Sequence, residues 1–191
     1  MGDHKDHNDR NDRKDDADDP EARAREICLR LLTLAPRTRA QLADALRNRG
    51  IPDTVAVGVL DKYADVGLID DAAFARAWVE SRHYSRGLAG RALAAELKQR
   101  GVDSGEIRDA VEELGSDAEV TTARKLAAQQ LAGTRGQPAQ ARTRRLAGML
   151  ARKGYPPGLA FRVIREAMEA EGADGAPGEE PYFDDPDAFT E

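Results

Sequence analysis

Few side chains in the sequence could carry covalent or acid–base chemistry, and none has the neighbours such chemistry needs. His83 stands in ESRHYSRG without a nucleophile and an acid at triad-like spacing, so a surface or helix-end histidine is the better reading than a catalytic base. Cys28, flanked by Ile27 and Leu29 in an amphipathic run, suits a small buried hydrophobe more than a reactive thiol. It is the one cysteine of the chain and cannot form an internal disulfide. Asp70 and Asp71 are adjacent acids at an expected helix start, where capping and the helix dipole favour them without a metal or acid–base role. His4 and His7 lie among aspartates and read as part of a charged low-complexity tail rather than a metal site. No Cys/His cluster has zinc spacing and no Gly-rich loop of the Walker type occurs. The expectation is a protein that is not an enzyme and that uses no cofactor or metal.

The remaining chemistry is electrostatic. The 191 residues carry a formal charge of −6, unevenly spread. Residues 1–20 hold 8 acidic and 4 basic side chains, and residues 171–191 hold 8 acidic and none basic. The stretch between them, Glu21 to Ala170, is basic, with 25 Lys and Arg against 19 Asp and Glu. From Val120 to Arg165 there are 10 basic residues and no acid: Arg124, Lys125, Arg135, Arg142, Arg144, Arg145, Arg152, Lys153, Arg162 and Arg165. Such an asymmetry points to a polyanionic or acidic partner, because uncompensated like charges repel. At 100° per residue, Arg142, Arg145 and Arg152 share one flank of a helix. Apolar runs fall far short of the roughly 20 residues a membrane span needs, and no apolar signal run follows Met1. A cytoplasmic location is expected.

Apolar residues recur at three and four rather than two along the chain: Ile27, Leu31, Leu34; Phe74, Ala77, Trp78; Leu93, Leu97; Leu146, Leu150. The pattern is all-α. A signature of two leucines four apart, then a basic residue, glycine and an apolar residue occurs three times. It reads Leu42, Leu46, Arg49, Gly50, Ile51, then Leu93, Leu97, Arg100, Gly101, Val102, then Leu146, Leu150, Lys153, Gly154, Tyr155. Each is a helix end, with leucines facing a core, a cation against the C-terminal dipole and glycine in a left-handed cap. A helix before each signature, near 21–35, 71–85 and 117–132, and one after it give three tandem three-helix units. The expected boundaries are 21–69, 70–115 and 116–170, between disordered charged tails at 1–20 and 171–191. Tyr155 and Phe161 fall at positions expected of a core. The acidic C-terminal tail, with Tyr182, Phe183 and Phe189, reads as solubilising, with docking or covering of the basic body as the lesser alternative.

The junction YADVGLIDDAAFARAWVESR, Tyr63 to Arg82, followed by GLAGRALAAELKQRGV, Gly87 to Val102, resembles the central region of the RecX family, regulators of the RecA recombinase. The match combines GLIDD leading into Phe74-Ala75-Arg76, then Arg82, the Gly90-Arg91 pair and Glu96-Leu97 before Arg-Gly-Val. It covers about Glu21 to Glu169, more loosely in the third unit because of its GTRGQP connector. The resemblance implies three tandem three-helix repeats in an elongated curved body that binds the RecA filament on single-stranded DNA. It also implies inhibition of the filament's ATPase, strand exchange and co-protease activities.

The competing reading is a winged-helix DNA-binding transcription regulator, because the first unit ends in the Gly-Leu-Ile that such domains use. A wing needs two short strands after Ile69, and the sequence there reads as helix instead. Weak, sequence-indifferent nucleic-acid binding by the basic third unit is a further expectation, with a solvated basic face as its bland alternative. Candidate partner or nucleic-acid contacts are Arg82, Arg86 and Arg91 in the second unit, and Arg124, Lys125, Arg142, Arg144, Arg145, Arg152 and Lys153 in the third. The chain is expected to act as a monomer.

Overall fold

The structure, a computed structural model, describes residues 19–174. Nine α-helices and no strand occur among the described residues: α1 Pro20–Leu34, α2 Arg39–Arg47, α3 Asp53–Asp65, α4 Asp71–Arg86, α5 Gly90–Gln99, α6 Ser104–Leu114, α7 Ser116–Ala132, α8 Ala139–Arg152 and α9 Pro157–Asp174. With α4 starting at Asp71, no strand that could form a wing follows Ile69 among the described residues. The expected charged tails lie outside the described residues, apart from Asp19 and Pro20 at one end and Glu171–Asp174 at the other. The latter four continue α9 rather than beginning a tail.

Local sequence explains where the helices begin. Asp19, Asp70 and Asp103 accept the amides of Glu21, Ala73 and Gly105 at 2.9, 2.7 and 2.7 Å, satisfying N–H groups that a helix start leaves unpaired. Thr38 and Gln41 form a reciprocal capping box on α2. The three signatures end helices alike. Gly50, Gly101 and Gly154 have φ of +73°, +75° and +91°. The amides of Ile51, Val102 and Tyr155 reach back to the carbonyls of Leu46, Leu97 and Leu150 at 3.2, 3.3 and 3.1 Å, the bond of a left-handed C-cap.

All six signature leucines are fully buried, each contributing about 1.5–3 kcal/mol of apolar burial. They belong to three cores. The first gathers Ile27, Leu42, Leu46, Val59 and Leu60. The second gathers Ala75, Val79, Leu93, Leu97 and Ile107, and the third Ala123, Leu131, Leu146, Leu150, Val163 and Ile164. Every pair of helices in extensive contact lies within one unit. Cys28 is fully buried and Tyr155 nearly so, as expected, but Phe161 is 56% exposed. It sits beside, not on, the stripe of Ala160, Val163, Ile164 and Ala167 that α9 turns inward.

Successive units are joined end to end by their middle helices. At the first joint, the Thr38 hydroxyl donates to the Arg100 carbonyl at 2.6 Å, and the Arg39 amide donates to the Asp71 carboxylate at 2.9 Å. At the second, the Ala89 amide donates to the Lys153 carbonyl at 2.8 Å, and the Gly90 amide to the Glu119 carboxylate at 2.6 Å. The positively polarised start of one middle helix therefore meets the negatively polarised end of the next, plus a carboxylate from the following unit. Glycine permits the approach: a Cβ on Gly101 would lie 2.3 Å from that of Ala40, and one on Gly154 would lie 2.6 Å from the Ala92 nitrogen.

Candidate partner-binding interface

The second joint opens into a groove of about 730 Å³, lined by the last turn of α4 (His83 to Arg86), Gly87, the α7 side chains Thr122, Lys125, Leu126 and Gln129, and Lys153. Its floor is fixed by hydrogen bonds across the seam. The Tyr155 hydroxyl donates to the Gly87 carbonyl at 3.1 Å and Lys153 Nζ to the Arg86 carbonyl at 2.5 Å. Both act on the carbonyl end of α4, where a cation also complements the dipole. Burial pushes the Tyr155 hydroxyl up to about 12, so it stays a donor throughout the physiological range.

His83 is a strut in this wall. Its Nδ1 lies 2.8 Å from the Leu88 carbonyl and its Nε2 2.8 Å from the Thr122 hydroxyl. A carbonyl only accepts, so Nδ1 carries the proton and, in the neutral ring, Nε2 accepts from Thr122. Gly87, at φ +62°, passes close beneath Leu126, to which a Cβ would come within 2.9 Å.

Three candidate cations converge here. Arg86 and Lys125 are exposed, and Lys153 is half-buried across the seam from them. Lys125 has no carboxylate within ion-pair distance among the described residues. Arg86 has only a 3.5 Å contact to Glu96. Tyr84, 93% exposed, lines the same groove.

One turn earlier, Arg82 is held rather than free. Its guanidinium stacks 4.2 Å from the Trp78 ring centre, Arg100 stacks 3.6 Å from the same centre, and the indole N–H donates to Glu96 at 2.9 Å. Phe74 packs alongside Trp78 with ring centres 5.7 Å apart. Trp78 thus organises the basic edge of the second unit through cation–π contacts.

The other candidates divide. Arg91, Arg144, Arg145 and Arg152 are exposed, do not line the groove, and have no ion pair among the described residues. Arg124 is paired with Glu166 at 2.8 Å, which lowers the Glu166 carboxyl below its usual range. Arg142 is not on an open flank with Arg145 and Arg152. Its side chain is only 13% exposed and is paired with Glu171. It also donates to Thr134 Oγ1 and the Leu131 carbonyl at 3.1 and 3.2 Å. Glu171 binds Arg135 as well, at 3.1 Å, and these hydrogen bonds lower its carboxyl. The acid-free basic stretch is therefore partly neutralised by two glutamates just beyond it in sequence.

Sequence reasoning did not find Tyr84, and it took Trp78 only as one of the apolar residues that mark a helix. The spacing of Trp78 and Arg82, four apart on one helix face, was the available signal for their stacking.

Three tandem three-helix units joined end to end, with a cationic, aromatic-edged seam between the second and third, define a helical-repeat protein. No helix of the described residues is long and apolar enough to cross a membrane. Family models for the first, second and third three-helix domains of RecX match residues 24–62, 70–111 and 117–164. The chain belongs to the RecX family. It is 63% identical over 153 residues to the regulatory protein RecX of Thermobifida fusca, covering 80% of this chain and 83% of that protein. It is 59% identical over 155 residues to the regulatory protein RecX of Streptomyces lividans, covering 81% and 82%. The crystal structure of RecX from Lactobacillus salivarius shares the fold, with a TM-score of 0.74 at 19% identity over 78% of this chain and 97% of that one. The chain is thus a RecX-type regulator.

Proposed function

We propose that this regulator binds the RecA nucleoprotein filament on single-stranded DNA and restrains its ATPase, strand-exchange and co-protease activities without catalysis of its own. The observation that carries the reading is the groove between the second and third units, lined by Arg86, Lys125, Lys153 and the exposed Tyr84. A basic seam rigidly tied at both walls suits an anionic, repeating surface, because contacts spaced over linked units add as intramolecular events. Arg82 and the exposed Arg91 add cations on the second unit, and the exposed Arg144, Arg145 and Arg152 add them on the third. Bridging neighbouring subunits of a filament would oppose the rearrangements of its ATPase cycle and obstruct strand entry. Direct DNA affinity on this reading is weak, salt-sensitive and indifferent to sequence.

The test is co-sedimentation with RecA filaments of the chain and of its Arg86→Glu/Lys125→Glu variant, with circular dichroism as the folding control. Binding by the parent that falls about tenfold or more in a fully helical variant supports the seam; about 1.4 kcal/mol corresponds to that factor. Equal binding by both would remove it.

A further inference from the structure

The two joints between units share a carbonyl acceptor and a glycine at equivalent positions of the signature, and the first unit presents a third copy of that helix end, uncovered among the described residues. In both joints the acceptor is the carbonyl of the signature's basic residue, Arg100 or Lys153, beside a glycine that a small side chain approaches, Ala40 or Ala92. In both, a carboxylate from the first turn of the following unit, Asp71 or Glu119, takes the first amide of the arriving helix. At the end of α2 the same turn is already formed. Gly50 has φ +73°, Ile51 closes onto the Leu46 carbonyl at 3.2 Å, and Arg49 Nη1 donates to the Ala45 carbonyl at 2.9 Å. The equivalent Arg100 donates to the Glu96 carbonyl at 2.7 Å. Yet a Cβ on Gly50 would meet nothing within 4 Å, whereas one on Gly101 or Gly154 would strike the preceding unit. The first turn of α1 supplies a carboxylate as well, Glu21, which is 40% exposed and bound to Lys62 at 2.8 Å.

We propose that the open end of the first unit, at Arg49 and Gly50, is a docking site for the N-terminus of an α-helix of another protein. Its occupant has a hydroxyl or free amide at the N-cap and a small residue in the first turn. The internal joints define that chemistry: a carbonyl at a helix C-terminus and a nearby carboxylate favour the positive end of a helix, and the flat glycine admits only alanine-sized side chains. A second copy of this chain does not qualify. Among the described residues its uncovered middle-helix start, that of α8, has Pro138 at the N-cap, without an N–H, and carries Arg142 at the position of Thr38 and Ala89. There α8 begins about one turn earlier and Arg142 is committed to Glu171. The site lies on a different unit from the seam and does not rest on the seam's function.

The test uses the full chain, labelled with nitrogen-15, and a helix-stapled peptide carrying residues 37–47, the segment that fills the first joint. The expected result is a saturable shift of the Gly50 and Ile51 amides, at least about fivefold weaker with a peptide bearing Ala40→Leu, which cannot approach a glycine. Absence of a shift at Gly50, or an equal response to both peptides, overturns the proposal. So does a response confined to Gly101, which would mean that the peptide merely displaces the internal joint. Sedimentation decides the remaining alternative: a chain that stays monomeric while the peptide binds supports a foreign helix. A concentration-dependent dimer that shifts Gly50 would place a second copy at the site and overturn the assignment.

Discussion

Arg142, near the start of α8, is paired through its guanidinium with the carboxylate of Glu171, in the last turn of α9. The pair ties the connector after α7 to both following helices, because the same guanidinium holds Thr134 and the Leu131 carbonyl. A residue with the sequence signature of a free surface cation is thus a structural one.

Arg142→Ala should therefore destabilise the third unit by about 1.5–3 kcal/mol, the range for losing hydrogen bonds to a charged group and leaving their partners unpaired. Arg145→Ala and Arg152→Ala should stay within about 0.5 kcal/mol, as exposed substitutions do. Urea unfolding of the three variants checks this. Equal midpoints for all three would mean that the Arg142 pairing contributes nothing.

The signature glycines should separate by their surroundings. Gly50→Ala incurs only the left-handed backbone penalty of roughly 1–2 kcal/mol, because its Cβ would enter open space. Gly101→Ala and Gly154→Ala carry that penalty and also a clash with Ala40 or Ala92, and should be more destabilising by about 1 kcal/mol or more, in the range of overpacking. Thermal melts of the three, ranked, are the measurement; Gly50→Ala as the worst would contradict the joints.

The helices and their ends were legible because their determinants are local. Leucines four apart, a cation and a glycine lie within one turn of where they act, and Asp70 or Asp103 caps the helix it precedes. The joints were not legible. Thr38 meets Arg100 across 62 residues and Gly90 meets Glu119 across 29, and three of the four bonds made by the arriving middle-helix starts are donated by backbone amides, which carry no residue-type signal. Charge counting also missed the pairing of Arg124 and Arg142, since Glu166 and Glu171 reach them only once α9 packs on α7 and α8. Phe161 was misplaced because apolar type alone does not fix which side of a helix faces the core.

At the first joint, burial raises the carboxyls of Asp71 and Glu106, and each is raised further by nearby acids. A raised carboxyl pKa means that the ionised form weakens the fold above that pKa and that the penalty disappears as pH falls through it. Glu106→Gln should therefore raise the melting temperature slightly at pH 7, with the gain shrinking as pH drops toward the unfolded carboxyl value of about 4.5. Melts of parent and variant across that range check the sign; a gain that grows in acid would contradict it.

The most direct measurement is RecA-catalysed ATP hydrolysis on single-stranded DNA, titrated with the full chain, with filament co-sedimentation recorded alongside. Hydrolysis should fall as the chain accumulates on the filament, and the Arg86→Glu/Lys125→Glu variant should need about tenfold more protein for the same effect. Hydrolysis that stays constant at a large excess of protein, with no chain sedimenting with the filament, would contradict the assignment of this regulator to RecA.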